Sequence, residues 1–469
     1  MPIITRRMQA PMDRRGFMAL LGASSIAALL PQAQGETLAV KARKPNILII
    51  LIDDVGWAGI GCYGSKDIPT PHMDALARGG VRFTNAYVSA PLCSPTRAGL
   101  MTGRYQQRFG HEHNPGGGGV NLGFEFGLPL TETTIADCLK RAGYATGIVG
   151  KWHLGFDPKY QPTARGFDEF FGFLGGAHPY FAGEAARKAG GANSIMRGKE
   201  PVVEKEYLTD AFSREAVAFI DRHKSDPFFL YLPYNAAHAP MQAPPKYLDK
   251  FAAIADERRR THAAMMSCLD DGIGRVLAKL KESGLEDDTL VLFVSDNGGP
   301  TRMTTSSNGP LRGYKAQVYD GGIREPMIIR WPGHVPAGKV YDEPVMSLDF
   351  YPTAAAAAGA EPPAERRLDG VDLLPYLDGK KSGPPHEYLF WRMGQQSAVR
   401  KGNWKLVKIG AQPAALYDLA ADIGESKDLA AEKPEIRDAL AKALAEWNKQ
   451  LVKPLWGGRA AQPQAKKGK

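Results

Sequence analysis

Asn46-Ile47-Leu48-Ile49-Ile50-Leu51-Ile52 is, after its first residue, an unbroken apolar run of Ile and Leu that ends on Asp53-Asp54. Short runs of this kind, lacking polar alternation and recurring between helical patterns, mark a parallel sheet covered by helices on both faces. The same texture returns at residues 145–149, 228–232, 289–294 and 326–331, with amphipathic stretches between them. The expectation is an α/β fold: a large mixed, mostly parallel sheet sandwiched by helices.

In open α/β sheets, ligands collect beyond the carboxyl ends of the strands. Here the polar residues follow the strand candidates: Asp53-Asp54 after the first, then Lys151-Trp152-His153, Asn235 with His238, and Asp296-Asn297. Adjacent carboxylates repel, so Asp53-Asp54 asks for a metal ion or an Arg or Lys partner. Together with Asp296-Asn297 they form an all-oxygen donor set suited to a hard cation, Ca²⁺ or Mg²⁺, and no Cys or His cluster has zinc spacing. Taken separately, both pairs are also ordinary turn sequences.

Helical spacing over 131–142 puts Ile135, Cys138, Leu139 and Ala142 on one face, with Gly143 as a stop. A second helix begins after Thr209. Residues 111–127, with consecutive glycines at 116–119, read as a loop, and 182–205 as irregular surface chain. After residue 380, short strands at 387–392, 397–400, 404–409 and 416–419 predict a small antiparallel sheet closed by a helix over 434–451. The expected plan is a catalytic domain over 40–380, a C-terminal α+β subdomain over 381–456 and a flexible tail over 457–469.

Residues 1–35 read as an export signal: Arg6, Arg7, Arg14 and Arg15 precede an apolar run of 14 residues, 17–30, too short to span a bilayer comfortably. Arg14-Arg15-Gly16-Phe17-Met18 resembles the twin-arginine motif, with a small-residue cleavage site at Ala33-Gln34-Gly35. This implies the twin-arginine export machinery as a partner, a periplasmic or secreted destination, and no stable membrane insertion once the signal is removed. Its loss lowers the formal charge from +9 to +6. That balance suits an anionic substrate, and no basic-aromatic stripe or module points to nucleic acid. The four cysteines, 62, 93, 138 and 268, make no disulfide framework, and Cys138 and Cys268 read as buried thiols.

Cys93-Ser94-Pro95-Thr96-Arg97, continuing through Leu100, Thr102 and Gly103 to Arg104, admits two readings: a buried structural Cys before a helix start, or a reactive precursor. The run resembles the signature of the type I formylglycine-dependent sulfatases of the alkaline phosphatase superfamily, in which this Cys is oxidised to an aldehyde. The resemblance extends along the chain: Asp53-Asp54 before Gly56-Trp57, residues 150–155 around Lys151 and His153, 235–240 around His238, 295–298, and Arg312-Gly313-Tyr314-Lys315 leading to 321–326. Thr96, where Ser is more usual, and Asp320, where Glu is frequent, are departures that remove no catalytic group.

The resemblance implies that Asp53, Asp54, Asp296, Asn297 and the modified Cys93 hold one divalent ion, usually Ca²⁺ and less often Mg²⁺. Arg97 and Lys151 would orient and polarise formylglycine and sulfate oxygens. His153 would be the base at the formylglycine hydroxyl, and His238 and Lys315 would contact the sulfate and assist the leaving group. A hydrated aldehyde carries two hydroxyls, one with its pKa lowered by the cation. That oxygen attacks sulfur, and the alcohol departs with a proton. The second hydroxyl then loses its proton, the C–O bond to sulfate breaks, and the aldehyde returns.

The implied activity is sulfuric ester hydrolysis on a sulfated carbohydrate or an aryl sulfate, with a formylglycine-generating enzyme as partner. A phosphonate monoester or phosphodiester hydrolase using the same nucleophile, and a non-catalytic sulfated-glycan binder, are the alternatives. His111, His113 and His178 stand as substrate-pocket walls or surface loop residues. His72, His223, His262, His334 and His386 read as structural or solvated, and Trp391 and Arg392 as candidate substrate contacts.

Overall fold

The computed structural model describes residues 43–115, 126–182 and 194–457; the export signal, the glycine run and the tail beyond Gly457 lie outside them. The ten-stranded sheet runs Lys339–Tyr341, Val81–Phe83, Met327–Arg330, Thr289–Ser295, Asn46–Ile52, Phe228–Pro233, Ala145–Lys151, Glu169–Phe173, Ile195–Arg197, Glu200–Val202. From Thr289–Ser295 to Glu169–Phe173 every neighbouring pair is parallel, and Met327–Arg330 adds antiparallel to this block.

Asn46–Ile52 lies near the middle, flanked by Phe228–Pro233 and Thr289–Ser295, with every residue buried. Ile47, Ile49 and Leu51 face one apolar core, and Leu48, Ile50 and Ile52 the other. Each such side chain removed from water stabilises the fold by about 2 kcal/mol, which is why residues 47–52 are all apolar. One core includes Leu100, Met101 and Leu139; the other packs the sheet against helices Leu208–Arg222 and Glu257–Glu282.

The predicted helix over 131–142 is shorter, Ile135–Arg141, because Thr134 caps it: its hydroxyl accepts from Asp137 N while the Asp137 carboxylate accepts from Thr134 N. The stretch 182–205, expected to be irregular, holds a hairpin, Ile195–Arg197 with Glu200–Val202, that forms the sheet's edge. Pro201 is tolerated there because an edge strand leaves one side unpaired.

The small sheet is antiparallel as expected, in the order Leu389–Met393, Gln396–Lys401, Trp404–Ile409, Ala415–Asp418, and the helix Pro434–Asn448 packs on it. The described residues fall in one compact unit. Among the described residues no helix is long and apolar enough to cross a membrane.

Candidate active site

The carboxyl ends of four adjacent parallel strands deliver the site. Asp53-Asp54 continue from Ile52, Lys151 closes its strand with His153 just beyond, His238 lies past Pro233, and Asp296-Asn297 follow Ser295. Opposite them, Cys93 opens the wholly buried helix Cys93–Thr102. Thr96 keeps its place in the first turn by donating its hydroxyl to Ala90 O at 2.7 Å, so Thr for Ser costs no bond there.

Around Cys93 Sγ, Asp53 Oδ1 lies at 3.8 Å and Lys315 Nζ at 3.1 Å. Lys151 Nζ donates to Asp53 Oδ2 at 2.6 Å, and Lys315 Nζ to Asp54 Oδ1 at 2.5 Å. Arg97 Nη2 donates to Asp296 Oδ2 at 2.8 Å and sits 3.4 Å from Asp53 Oδ2. His238 Nε2 lies 3.6 Å from Asp54 Oδ2. The metal-ligating atoms of Asp53, Asp54, Cys93 and His238 all fall within 4.8 Å of one another.

Asp296 is not in that tightest group. One of its oxygens is on Arg97 and the other accepts from Asp54 N at 3.2 Å. Asn297 donates Nδ2 to Asp54 Oδ1 at 2.7 Å, which leaves its Oδ1 buried with no hydrogen-bond partner. An acceptor orphaned among carboxylates costs stability unless something positive meets it, so the donor set fits a hard cation.

Burial pushes the Cys93 thiol up to about 12, against the pull of Lys151 and Lys315. Burial alone would raise Asp53, but Lys151, His238 and Arg97 outweigh it and hold the carboxyl below its ordinary range. His153 is driven well below the usual imidazole range by burial and then by Lys151, Arg97 and Lys315, so its imidazole is neutral. Asp54 and His153 both hold left-handed backbone, φ 60° each, a conformation costing non-glycine residues about 1–3 kcal/mol and concentrated at functional sites. Gly176 makes room for the imidazole: a Cβ there would come within 2.6 Å of His153 Nε2.

The structure thus brings Asp53, Asp54, Cys93, Arg97, Lys151, His153, His238, Asp296, Asn297 and Lys315 together. Ser94 and His111 were not read from the sequence as a unit. Ser94 Oγ donates to His153 O at 2.6 Å and lies 2.6 Å from His111 Nε2, so a buried His111 braces the strained His153 turn. Tyr180 OH lies 2.6 Å from Asn235 O and 2.8 Å from His238 O, tying down the His238 loop. Carbonyl acceptors carry no sequence signal, which is why these braces were missed. Trp391 is not a substrate contact, being fully buried and donating to Val88 O at 2.8 Å, while Arg392 is engaged by buried Glu112 at 2.5 and 3.0 Å.

The sulfatase family profile matches residues 45–360, and that of the N-sulphoglucosamine sulphohydrolase C-terminal region matches residues 314–450. The chain belongs to the sulfatase family. The solved structure of Ps i-CgsB in complex with k-i-k-neocarrahexaose is 38% identical, covers 88% of this chain and 95% of its own, and superposes with a TM-score of 0.83. The N-acetylgalactosamine-6-sulfatase of Sus scrofa is 35% identical over 80% of this chain and 74% of its own length. Steryl-sulfatase of Mus musculus is 32% identical over 96% and 92%. The sulfatase works as a hydrolase through a residue derived from Cys93, beside the metal-binding cluster of Asp53, Asp54, Cys93 and His238.

Proposed function

We propose that this sulfatase removes sulfate from a sulfated carbohydrate, using a hydrated formylglycine made from Cys93. The observation that carries this reading is the ring of cations on the precursor, with Lys315 on Sγ and Lys151 and Arg97 on the adjoining carboxylates. The relatives named above that act on N-acetylgalactosamine 6-sulfate or hold a neocarrahexaose support the saccharide class.

Asp53, Asp54, Asp296, Asn297 and the modified Cys93 would hold one divalent ion, Ca²⁺ by its all-oxygen partners, whose charge favours the ionised nucleophile. Arg97 and Lys151 hold that group in place and stabilise negative charge on the sulfuryl oxygens. Lys315 and His238 stand on the open side of the site, 16% and 17% exposed, where they meet the sulfate and protonate the departing alcohol. Neutral His153 takes the proton of the second hydroxyl.

The chain is read as exported through the twin-arginine route, with a formylglycine-generating enzyme acting on Cys93 beforehand and the organisation 40–380 plus 381–456 dividing catalysis from the small sheet. A desulfation screen over defined sulfated saccharides, run with converted enzyme beside an aryl sulfate and an aryl phosphonate, tests the reading. Release of sulfate from at least one saccharide is expected. A higher kcat/KM on the phosphonate, or failure on every sulfate ester, would defeat it.

A further inference from the structure

A cleft of about 540 Å³ opens beside the catalytic centre, with Lys315 in its wall. Two parts of the chain build it: the loop carrying Tyr314, Lys315 and Gln317, and the turn between strands Leu389–Met393 and Gln396–Lys401, carrying Gln395, with His113 alongside. Its shape is fixed by Gln396, whose Nε2 donates to Ala316 O at 2.9 Å while its Oε1 accepts from Val318 N at 3.3 Å. One amide thus locks the small sheet to the Lys315 loop.

The chemistry of the wall is distinctive. Among the described residues that line it, Lys315 is the one charged side chain, and it is already held by Asp54 at 2.5 Å. The Gln317 and Gln395 amides make no hydrogen bond to a described residue, and His113 Nε2 is buried without a partner. Burial holds His113 below the ordinary imidazole range, so it is neutral at pH 7. Amides, a neutral imidazole and tyrosine rings offer donors, acceptors and flat apolar faces, which match a hydroxyl-rich ring. Among the described residues the lining itself supplies no unpaired cation for a second anion; Arg302 and Arg312 are not part of it and lie over the Tyr314 and Tyr319 rings at 5.8 and 4.0 Å.

We infer that this cleft is a subsite for an uncharged saccharide unit adjoining the sulfated one, with Gln395 and His113 as specificity-determining residues. The inference rests on the proposed carbohydrate substrate. Because the contacts lie beyond the sulfate, they stabilise an extended substrate and leave a small aryl ester untouched.

The test compares wild type, Gln395→Ala and His113→Ala, all with converted Cys93 and unchanged melting temperature, on p-nitrophenyl sulfate and k-i-k-neocarrahexaose. Calorimetric titration with chemically desulfated neocarrahexaose is run in parallel. The expected result is a loss of about tenfold or more in kcat/KM on the hexaose, roughly the worth of one buried hydrogen bond, with the aryl sulfate within twofold. The desulfated hexaose should bind wild type and bind each variant more weakly. Equal losses on both substrates, no loss on either, or equal binding of the desulfated hexaose to wild type and variants would overturn the inference. Failure to hydrolyse any sulfate ester would strike the proposed function instead, and the titration would still judge the cleft.

Discussion

Lys315 Nζ lies 3.1 Å from Cys93 Sγ, although 222 residues separate the two in the chain. Even with that cation beside it, burial keeps the thiol's pKa near 12, so at neutral pH the unconverted side chain is not a thiolate and is a poor nucleophile. Unconverted protein and Cys93→Ala should therefore both be inactive, with kcat down on the order of a thousandfold or more. Mass spectrometry of the Cys93 peptide, taken with kcat across preparations of differing conversion, checks this. Activity that does not follow the converted fraction would contradict it.

Asn297 leads to a second prediction. Its orphaned Oδ1 sits among Asp53, Asp54 and Asp296, all buried, so a bound cation should add stability as well as activity. Chelator-treated protein should regain about 2.7 kcal/mol when Ca²⁺ is raised to a hundred times its Kd, read as a rise in melting temperature. Asn297→Ala should shrink that rise, and Mg²⁺ should produce less of it. A melting temperature indifferent to both ions would remove the cation from the site.

The strand Asn46–Ile52 was legible because burial on both faces selects apolar residues over 47–52 and leaves a run no other element of that length explains. The strands Val81–Phe83 and Lys339–Tyr341 were not, since three residues carry no period and their pairing is decided by neighbours distant in sequence. The same division holds at the site. Asp53, Asp54, Lys151, His153, His238, Asp296 and Asn297 announce themselves as polar groups at strand ends. The Ser94 hold on His153 and the Tyr180 hold on His238 end on backbone carbonyls, which every residue has. Trp391, read as a candidate contact from its place in the small sheet, is fully buried, and the Arg392 pairing with buried Glu112 had no sequence signal because 280 residues separate the two.

Lys405 tests the seam between the two sheets. Fully buried, its Nζ reaches Asp320 Oδ1 at 2.6 Å and Glu425 Oε1 at 2.9 Å, while Asp320 N donates to Glu425 Oε2 at 2.7 Å. Lys405→Met would leave both carboxylates without that cation, a loss of about 3–5 kcal/mol for a broken buried pair. Urea unfolding should show it as a lower midpoint. An unchanged midpoint would mean that Arg324, 3.3 Å from Asp320, carries the cluster alone.

His262, on the helix Glu257–Glu282 and outside the site, should govern part of the acid stability. Both its ring nitrogens are buried without partners, and burial, followed by Arg259, lowers its pKa from 6.5 to about 3. The unfolded chain takes up a proton below about pH 6.5 that the folded imidazole refuses, so stability is retained above that pH and falls as the solution is acidified. From pH 7 to pH 5 the loss is about 2 kcal/mol for one such histidine. His111, also fully buried and lowered to about 3, adds a similar loss. His262→Leu removes one of these contributions without creating a new unpaired polar atom, so its unfolding free energy should fall by about 2 kcal/mol less than that of wild type over the same interval. Urea titrations of both proteins at pH 7 and pH 5 measure the difference, and an identical pH dependence would mean that His262 becomes charged inside the fold.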